Sequence, residues 1–218
     1  TRFEWLNQQN APGASRLGIA EMFPTAGARS VYGMTKLAAE LMIEEFADAY
    51  GLRYVIDRCG LIAGPWQMGK VDQGVVTLWL AAHYFGQPLR YIGFGGQGKQ
   101  VRDILHIDDL AELVAMQVSG MDRFHGQTLN AGGGLDFSLS LQEMTSICEG
   151  LTGKRIELGS EPAERRADLR IYVADIRKIE EVCGWRPSRG PSAVLGDILS
   201  WVRDHQDQVC PALFAPAA

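Results

Sequence analysis

Cysteine is scarce and scattered. The four in this chain of 218 residues (Cys59, Cys148, Cys183 and Cys210) have no Cys-x-x-Cys spacing, which argues against a zinc site and a dense disulfide framework. No apolar run approaches the roughly 18 residues a membrane-crossing helix requires, and no secretory leader pattern opens the chain. The expectation is therefore a cytoplasmic protein with no membrane partner. Positive charge is also thin. The formal net charge is −5 and the basic residues are dispersed, apart from pairs such as Lys154–Arg155 and Arg165–Arg166, so nothing favours nucleic acid as a partner. There is no internal repeat. The first residue is Thr1 rather than methionine, and we expect an upstream segment to have been lost.

What remains is the composition of a globular protein. Hydrophobic residues make up 46% and charged residues only 22%, enough to bury the core of one large domain or two small ones. The first thirty residues carry polar and Gly/Pro punctuation without a period and read as a surface loop. From Val31 to Tyr50 apolar residues recur at helical spacing, with Gly51 as the stop. A short β-rich run over 53–56 follows. A helix is predicted from Val75 to Phe85, closed by Gly86, then strands over 89–92 and 100–106 around a glycine-rich turn. Asp108 is a plausible cap for a helix running to Val118, and 127–130 reads as a strand. Ser140, with Glu143 three residues on, forms a capping-box signature for a helix through Leu151. Possible edge strands at 155–158 and 171–173, a helix capped by Asp175 and ending at Cys183, and a last helix over about 192–205 complete the pattern. Pro211 to Ala218 reads as disordered.

Tyr32 and Lys36 stand four apart at the start of the strongest predicted helix, which stacks them on one face. A phenol is a weak base at neutral pH, and a neighbouring ammonium favours its anionic form, so such a pair can exchange a proton with a sugar hydroxyl. A Tyr and a Lys four apart also arise by chance in many helices, and the flanks carry the weight. They run Ser30-Val-Tyr32-Gly33-Met-Thr35-Lys36-Leu-Ala-Ala-Glu40, and after the helix Arg58-Cys-Gly60 and Gly64-Pro65. This resembles the extended short-chain dehydrogenase/reductase family of sugar-nucleotide epimerases and dehydratases. The resemblance implies NAD as cofactor and Tyr32 as catalytic acid/base. It implies that Lys36 binds the nicotinamide ribose and tunes Tyr32, and that Arg58, Gly60 and Pro65 belong to the cofactor side.

Gly93-Phe-Gly95-Gly96-Gln-Gly98 satisfies G-x-G-x-x-G to the letter, but a strand rather than a helix is predicted after it. A pyrophosphate loop needs the helix N-terminus, so we read a hairpin or loop turn. Arg102-Asp103, ahead of Asp108-Asp109-Leu, resembles the family's segment whose arginine contacts the substrate diphosphate, a task suited to a planar, permanently charged fork. Without that resemblance, Arg102 beside Asp103 reads as a local surface ion pair. Arg165, three residues before Asp168, resembles the second diphosphate arginine, with Arg166 and Arg170 close by. Asp72 and Gln73, in Met68-Gly-Lys-Val-Asp72-Gln73-Gly74, are taken as substrate-binding. Together with Asn130-Ala-Gly132-Gly133, Ser138-Leu-Ser140 and Val173-Ala-Asp175, that segment resembles the CDP-paratose/CDP-tyvelose 2-epimerase branch. Leu61 departs from it, standing near a position where relatives carry a substrate-binding Asn or Ser. His106 reads as a packed structural residue, and no metal site is expected.

The expected fold is α/β: the C-terminal part of a Rossmann (doubly wound, mostly parallel) sheet interleaved with a smaller α+β substrate lobe. Residues 1–65 and 108–132 would belong to the NAD-binding domain, 66–107 and 133–207 to the substrate lobe, and 208–218 to a tail. The expected function is an NAD-dependent nucleotide-sugar epimerase acting through a transient keto sugar, and a homodimer. A 4,6-dehydratase or 4-epimerase of the same fold is the alternative, and a non-catalytic NAD-binding scaffold or sensor a third. The glycine loop, the catalytic Ser/Thr and the acidic residue that chooses NAD over NADP are expected upstream, so this chain alone should bind NAD weakly and be inactive.

Overall fold

A computed structural model of the chain describes residues 1–27, 30–69, 74–164 and 168–214. Its first element is a small hairpin, β1 (Ala14–Ser15) against β2 (Gly18–Ile19), in a segment that is otherwise irregular, as expected. Helix α1 (Val31–Tyr50) follows. It opens on Ser30, whose hydroxyl accepts from the Gly33 amide at 3.0 Å, and closes at Gly51, whose N–H reaches the Ala47 carbonyl. Next come β3 (Val55–Cys59), β4 (Leu61–Ala63), α2 (Val75–Phe85), β5 (Leu89–Ile92), β6 (Val101–His106), α3 (Ile107–Ser119), α4 (Met121–Phe124) and β7 (Gln127–Ala131). The chain continues through β8 (Ser138–Ser140), α5 (Leu141–Thr152), β9 (Leu158–Glu161), β10 (Ile171–Tyr172), α6 (Arg177–Cys183), α7 (Pro191–Asp204) and α8 (Gln206–Phe214).

Pairing is mostly parallel, as an α/β fold requires, because parallel neighbours need a crossover between them. Strand β3 lies parallel to β7, with Val55 opposite Gln127 and Cys59 opposite Ala131. Strand β6 is flanked in parallel by β4 and β10, and its first half pairs antiparallel with β8. Strand β5 pairs in parallel with β9. Two cores result. The larger joins α2, α5 and α7 through Leu80, Met144, Cys148, Leu195, Ile198 and Val202. The other gathers Leu105, Leu113, Phe124, Leu129, Ile179 and Trp185 around β7.

Several local expectations change. Residue 53 stays outside the strand: Arg53 is ion-paired with Asp122, and β3 begins at Val55. The cap of α3 is His106, whose Nδ1 accepts from the Asp108 amide at 3.0 Å, so Asp108 sits inside the first turn instead of capping it. The strand expected at 155–158 lies at Leu158–Glu161, where β5 offers a partner edge. The strands either side of Gly93–Gly98 do not form a hairpin, since β5 joins β9 and β6 joins β4 and β10. The glycine run itself is a loop with a 3₁₀ turn at Phe94–Gly96 and opens no α-helix. Finally, of the stretch read as disordered, Pro211–Phe214 is helical and residues 215–218 lie outside the described residues: α8 carries Pro211 within it, buries Val209 and packs Leu213 and Phe214 against the larger core. Among the described residues no helix is long and apolar enough to cross a membrane.

Candidate active site

Helix α1 presents the Tyr-x-x-x-Lys pair on one flank. The Lys36 ammonium stands 5.4 Å from the centroid of the Tyr32 ring, a cation–π contact that follows from the i, i+4 spacing. Tyr32 is 67% exposed, so the residue is not sealed in hydrocarbon. The hydroxyl of Thr35 donates to the Tyr32 carbonyl at 2.8 Å. It serves the helix start, as its position suggests.

Arg58, on β3, turns its guanidinium to α1. Nε donates to Glu40 Oε1 at 2.9 Å, Nη2 to Oε2 at 2.6 Å, and Nη1 to the Glu21 carbonyl at 3.1 Å. The hydrogen bond to Glu40 raises the Arg58 pKa further. Gly60, at the crossing from β3 to β4, leaves room for a buried carboxylate: a Cβ there would meet Asp103 Oδ2 at 2.8 Å, and one at Gly132 would clash with the same oxygen. Pro65 is half-buried in the turn after β4. The next residue, Trp66, rests against Trp201 and His205 with ring centroids 5.7 and 4.6 Å apart.

Arg102 and Asp103 do not form the local surface pair that their adjacency alone would suggest. Side chains alternate across a strand, and here Arg102 faces a cavity while Asp103 is fully buried behind it. Burial pushes the Asp103 carboxyl up to about 6, partly offset by the backbone N–H groups of Ala174, Gly134 and Gly133. Arg102 pairs instead with Asp168, Nη2 to Oδ1 at 2.9 Å. Desolvation lowers its pKa, with the Asp168 carboxylate opposing.

The cavity has a volume of about 860 Å³ and is lined by residues of β4, α2, β5, β6, β8, α5 and β9. Its wall is apolar at Val75, Leu78, Ile104 and Met144, with Arg102, Gln100 and Asp168 as convergent polar groups. Trp79 and Tyr91 stack at 5.5 Å, and both reach the Thr145 hydroxyl at 2.8 Å, which stiffens one side. Leu61 is part of the lining, so the apolar departure noted in the sequence is a wall residue. Tyr32 and Lys36 are not. Of the other expected substrate residues, Asp72, Gln73 and Arg165 lie outside the described residues, as does Arg166. Their sequence neighbours Gly74 and Asp168 both line the cavity.

Sequence reasoning passed over Glu40, Gln100 and Trp79. Glu40 had a local signal, one helical turn beyond Lys36. Gln100 and Trp79 had none, because only the folded chain brings α2, β5 and β6 to one cavity. His106 is buried, with Nε2 3.3 Å from Asp197. Among the described residues no cluster of three or more His, Cys, Asp or Glu could hold a metal.

Residues 11–132 match the NAD dependent epimerase/dehydratase family. The chain belongs to that family. Over 160 residues it is 32% identical to CDP-paratose 2-epimerase of Salmonella typhi, covering 72% of this chain and 47% of that protein. Over 207 residues it is 30% identical to UDP-glucose 4-epimerase of Halalkalibacterium halodurans, covering 87% of this chain and 59% of that protein. In three dimensions it resembles the Thermus thermophilus UDP-glucose 4-epimerase solved with NAD, at a TM-score of 0.74 and 26% identity, over 84% of this chain and 57% of that one. The chain thus spans about half the length of the curated relatives it matches.

Proposed function

We propose that this chain supplies the proton-transfer helix and the substrate lobe of an NAD-dependent nucleotide-sugar epimerase, working through a transient keto sugar. The observation that carries the reading is the Lys36 ammonium held over the ring of an exposed Tyr32. The Tyr32 phenol oxygen takes the proton of the reacting sugar hydroxyl and later returns it. Lys36, held over the ring, offers N–H donors to a ribose. Arg102, desolvated in the cavity wall, meets the diphosphate in exchange for part of its contact with Asp168. Arg165, Asp72 and Gln73 complete the substrate contacts in this reading. The described residues fit the nicotinamide-ribose end of the cofactor, through Tyr32 and Lys36, with Gly60 and Pro65 on that side. They include no glycine loop that ends a strand and opens a helix for its pyrophosphate. NAD, when bound, supplies the hydride acceptor.

The 32% identity to a CDP-paratose 2-epimerase favours a CDP-sugar, while the apolar wall at Leu61 departs from that branch and leaves the sugar itself to be assigned. A second reading, a UDP-hexose 4-epimerase, is favoured by the 30% identity that spans 87% of the chain. Incubating the intact gene product with NAD and CDP-, UDP- and dTDP-sugars decides between them. We expect one epimerised sugar and no net cofactor reduction; a product lacking the elements of water would overturn the epimerase reading. For the chain by itself, calorimetric titration should detect weak NAD binding or none. Tight stoichiometric binding would show that these residues suffice for the cofactor. The reading also includes a cytoplasmic location and a homodimer formed through α1, which light scattering on the purified protein tests.

A further inference from the structure

Helix α1 carries the proposed reactive pair, yet none of its side chains is buried. Helices in proteins owe most of their stability to a packed face, so something else must hold this one in place. Only Gly33, Leu37, Glu40 and Ala47, which share one side of the helix, are half-buried. Glu40 is the sole charged residue among them. Its carboxylate receives two parallel hydrogen bonds from Arg58 of β3, with 20% and 27% of the two side chains exposed. The third arm of Arg58 ends on the Glu21 carbonyl. Glu21 in turn accepts from the Asn130 amide of β7 at 2.7 Å, and the Asn130 side chain donates to the carbonyls of Ile19, at 2.8 Å, and Asp175. A continuous polar chain therefore runs from α1 through β3 and the segment at 19–21 to β7.

We propose that Glu40 and Arg58 are positioning residues: their bidentate ion pair sets where α1, and with it Tyr32 and Lys36, stands against the β3–β7 sheet. The relative placement of Tyr32 and Lys36 is internal to the helix and needs no help. What the pair fixes is the roll and height of the whole helix, and so the place of the phenol oxygen with respect to the Arg102 cavity. A planar fork engaged on both carboxylate oxygens constrains direction as well as distance. Lysine, a point charge on a jointed stem, cannot reproduce that constraint. Arg58, which the family resemblance puts on the cofactor side, has its three arms taken by Glu40 and the Glu21 carbonyl, and in this proposal it acts on the chemistry at one remove, through Glu40. The consequence for turnover rests on the function proposed above; the consequence for the helix does not.

The test compares the chain with Glu40→Gln, with Arg58→Lys, and with the exchanged pair Glu40→Arg/Arg58→Glu. Native-state hydrogen exchange is read helix by helix, and turnover is measured on the intact gene product. Each single variant should speed exchange of the α1 amides roughly tenfold, the scale of a lost charge-assisted contact, while α2, α5 and α7 stay within about twofold. The exchanged pair should restore much of the α1 protection. In turnover, kcat should fall about tenfold or more with KM changed less than about twofold, as expected when a reacting group is displaced and binding is not. Unchanged α1 exchange would overturn the proposal. So would a parallel rise in α2, α5 and α7, which would mean general destabilisation, or an exchanged pair that leaves α1 unprotected while those helices remain intact. A rise in KM alone would make Arg58 a ligand contact and sink the positioning role. If the unmodified protein and Tyr32→Phe are equally silent, the functional reading fails, while the exchange measurements still decide the clamp.

Discussion

Helices α1 and α2 are both rich in apolar residues, and they meet opposite fates. In α2 every side chain from Val76 to His83 is buried, and Val76, Trp79, Leu80 and Ala81 enter the core shared with α5 and α7. In α1 none is, although Met34 and Leu41 crowd one flank and Ile43, Phe46 and Tyr50 the other. A helix apolar on more than one side normally belongs inside a protein. The contrast shows two ways of fixing an element. Helix α2 is located by shape, through many weak contacts that no single change abolishes. Within the described residues, helix α1 meets the sheet through a few directional polar contacts, and Tyr32 stays exposed.

The comparison can be broken first at its packed end. Ile198→Ala empties a fully buried site on α7 and should cost about 2–5 kcal/mol of unfolding free energy, read by urea denaturation. A loss under about 1 kcal/mol would mean that the core relaxes as freely as a surface. A smaller effect is expected from Asp103, the buried carboxyl behind the cavity wall. Its folded-state pKa, about 6 against an ordinary 3.8, is raised by burial, so the fold favours the neutral acid. The stability this contributes is complete below about pH 4 and is lost as pH rises through 6. Thermal unfolding from pH 4 to 7 should therefore show a decline in the native chain that Asp103→Asn removes. A decline that survives the substitution would assign it to other groups. The smallest effect should come from the exposed flank of α1. Leu41→Gln should change stability by less than about 0.5 kcal/mol, and a larger loss in the monomer would reveal packing that the structure does not contain.

The same division governs what could be read in advance. The limits of α2 and the capping box of α5 were legible because their signals are local: Gly86 closes one, and Ser140 with Glu143 opens the other. The Tyr32–Lys36 pair was legible for the same reason, as spacing alone puts both on one flank of a helix. Long-range pairing was not. Strand β9 lies where β5 offers an edge, which the residues at 155–158 do not announce. Pro211 read as an end, yet it sits within α8, because Val209 and Leu213 have a core to enter. Asp108 lost the cap of α3 to His106, whose ring nitrogen was already in place at the strand end. Arg102 was singled out by resemblance, but its partner Asp168, 66 residues away, and the cavity they share depend on the assembled sheet.

The central claim is that the phenol of Tyr32 moves the proton. Tyr32→Phe in the intact gene product keeps the ring beneath Lys36 and removes only the hydroxyl. With folding and nucleotide-sugar binding unchanged, turnover should fall by about 10²-fold or more, the scale of general acid–base catalysis. Turnover within about threefold of the unaltered protein would contradict the account.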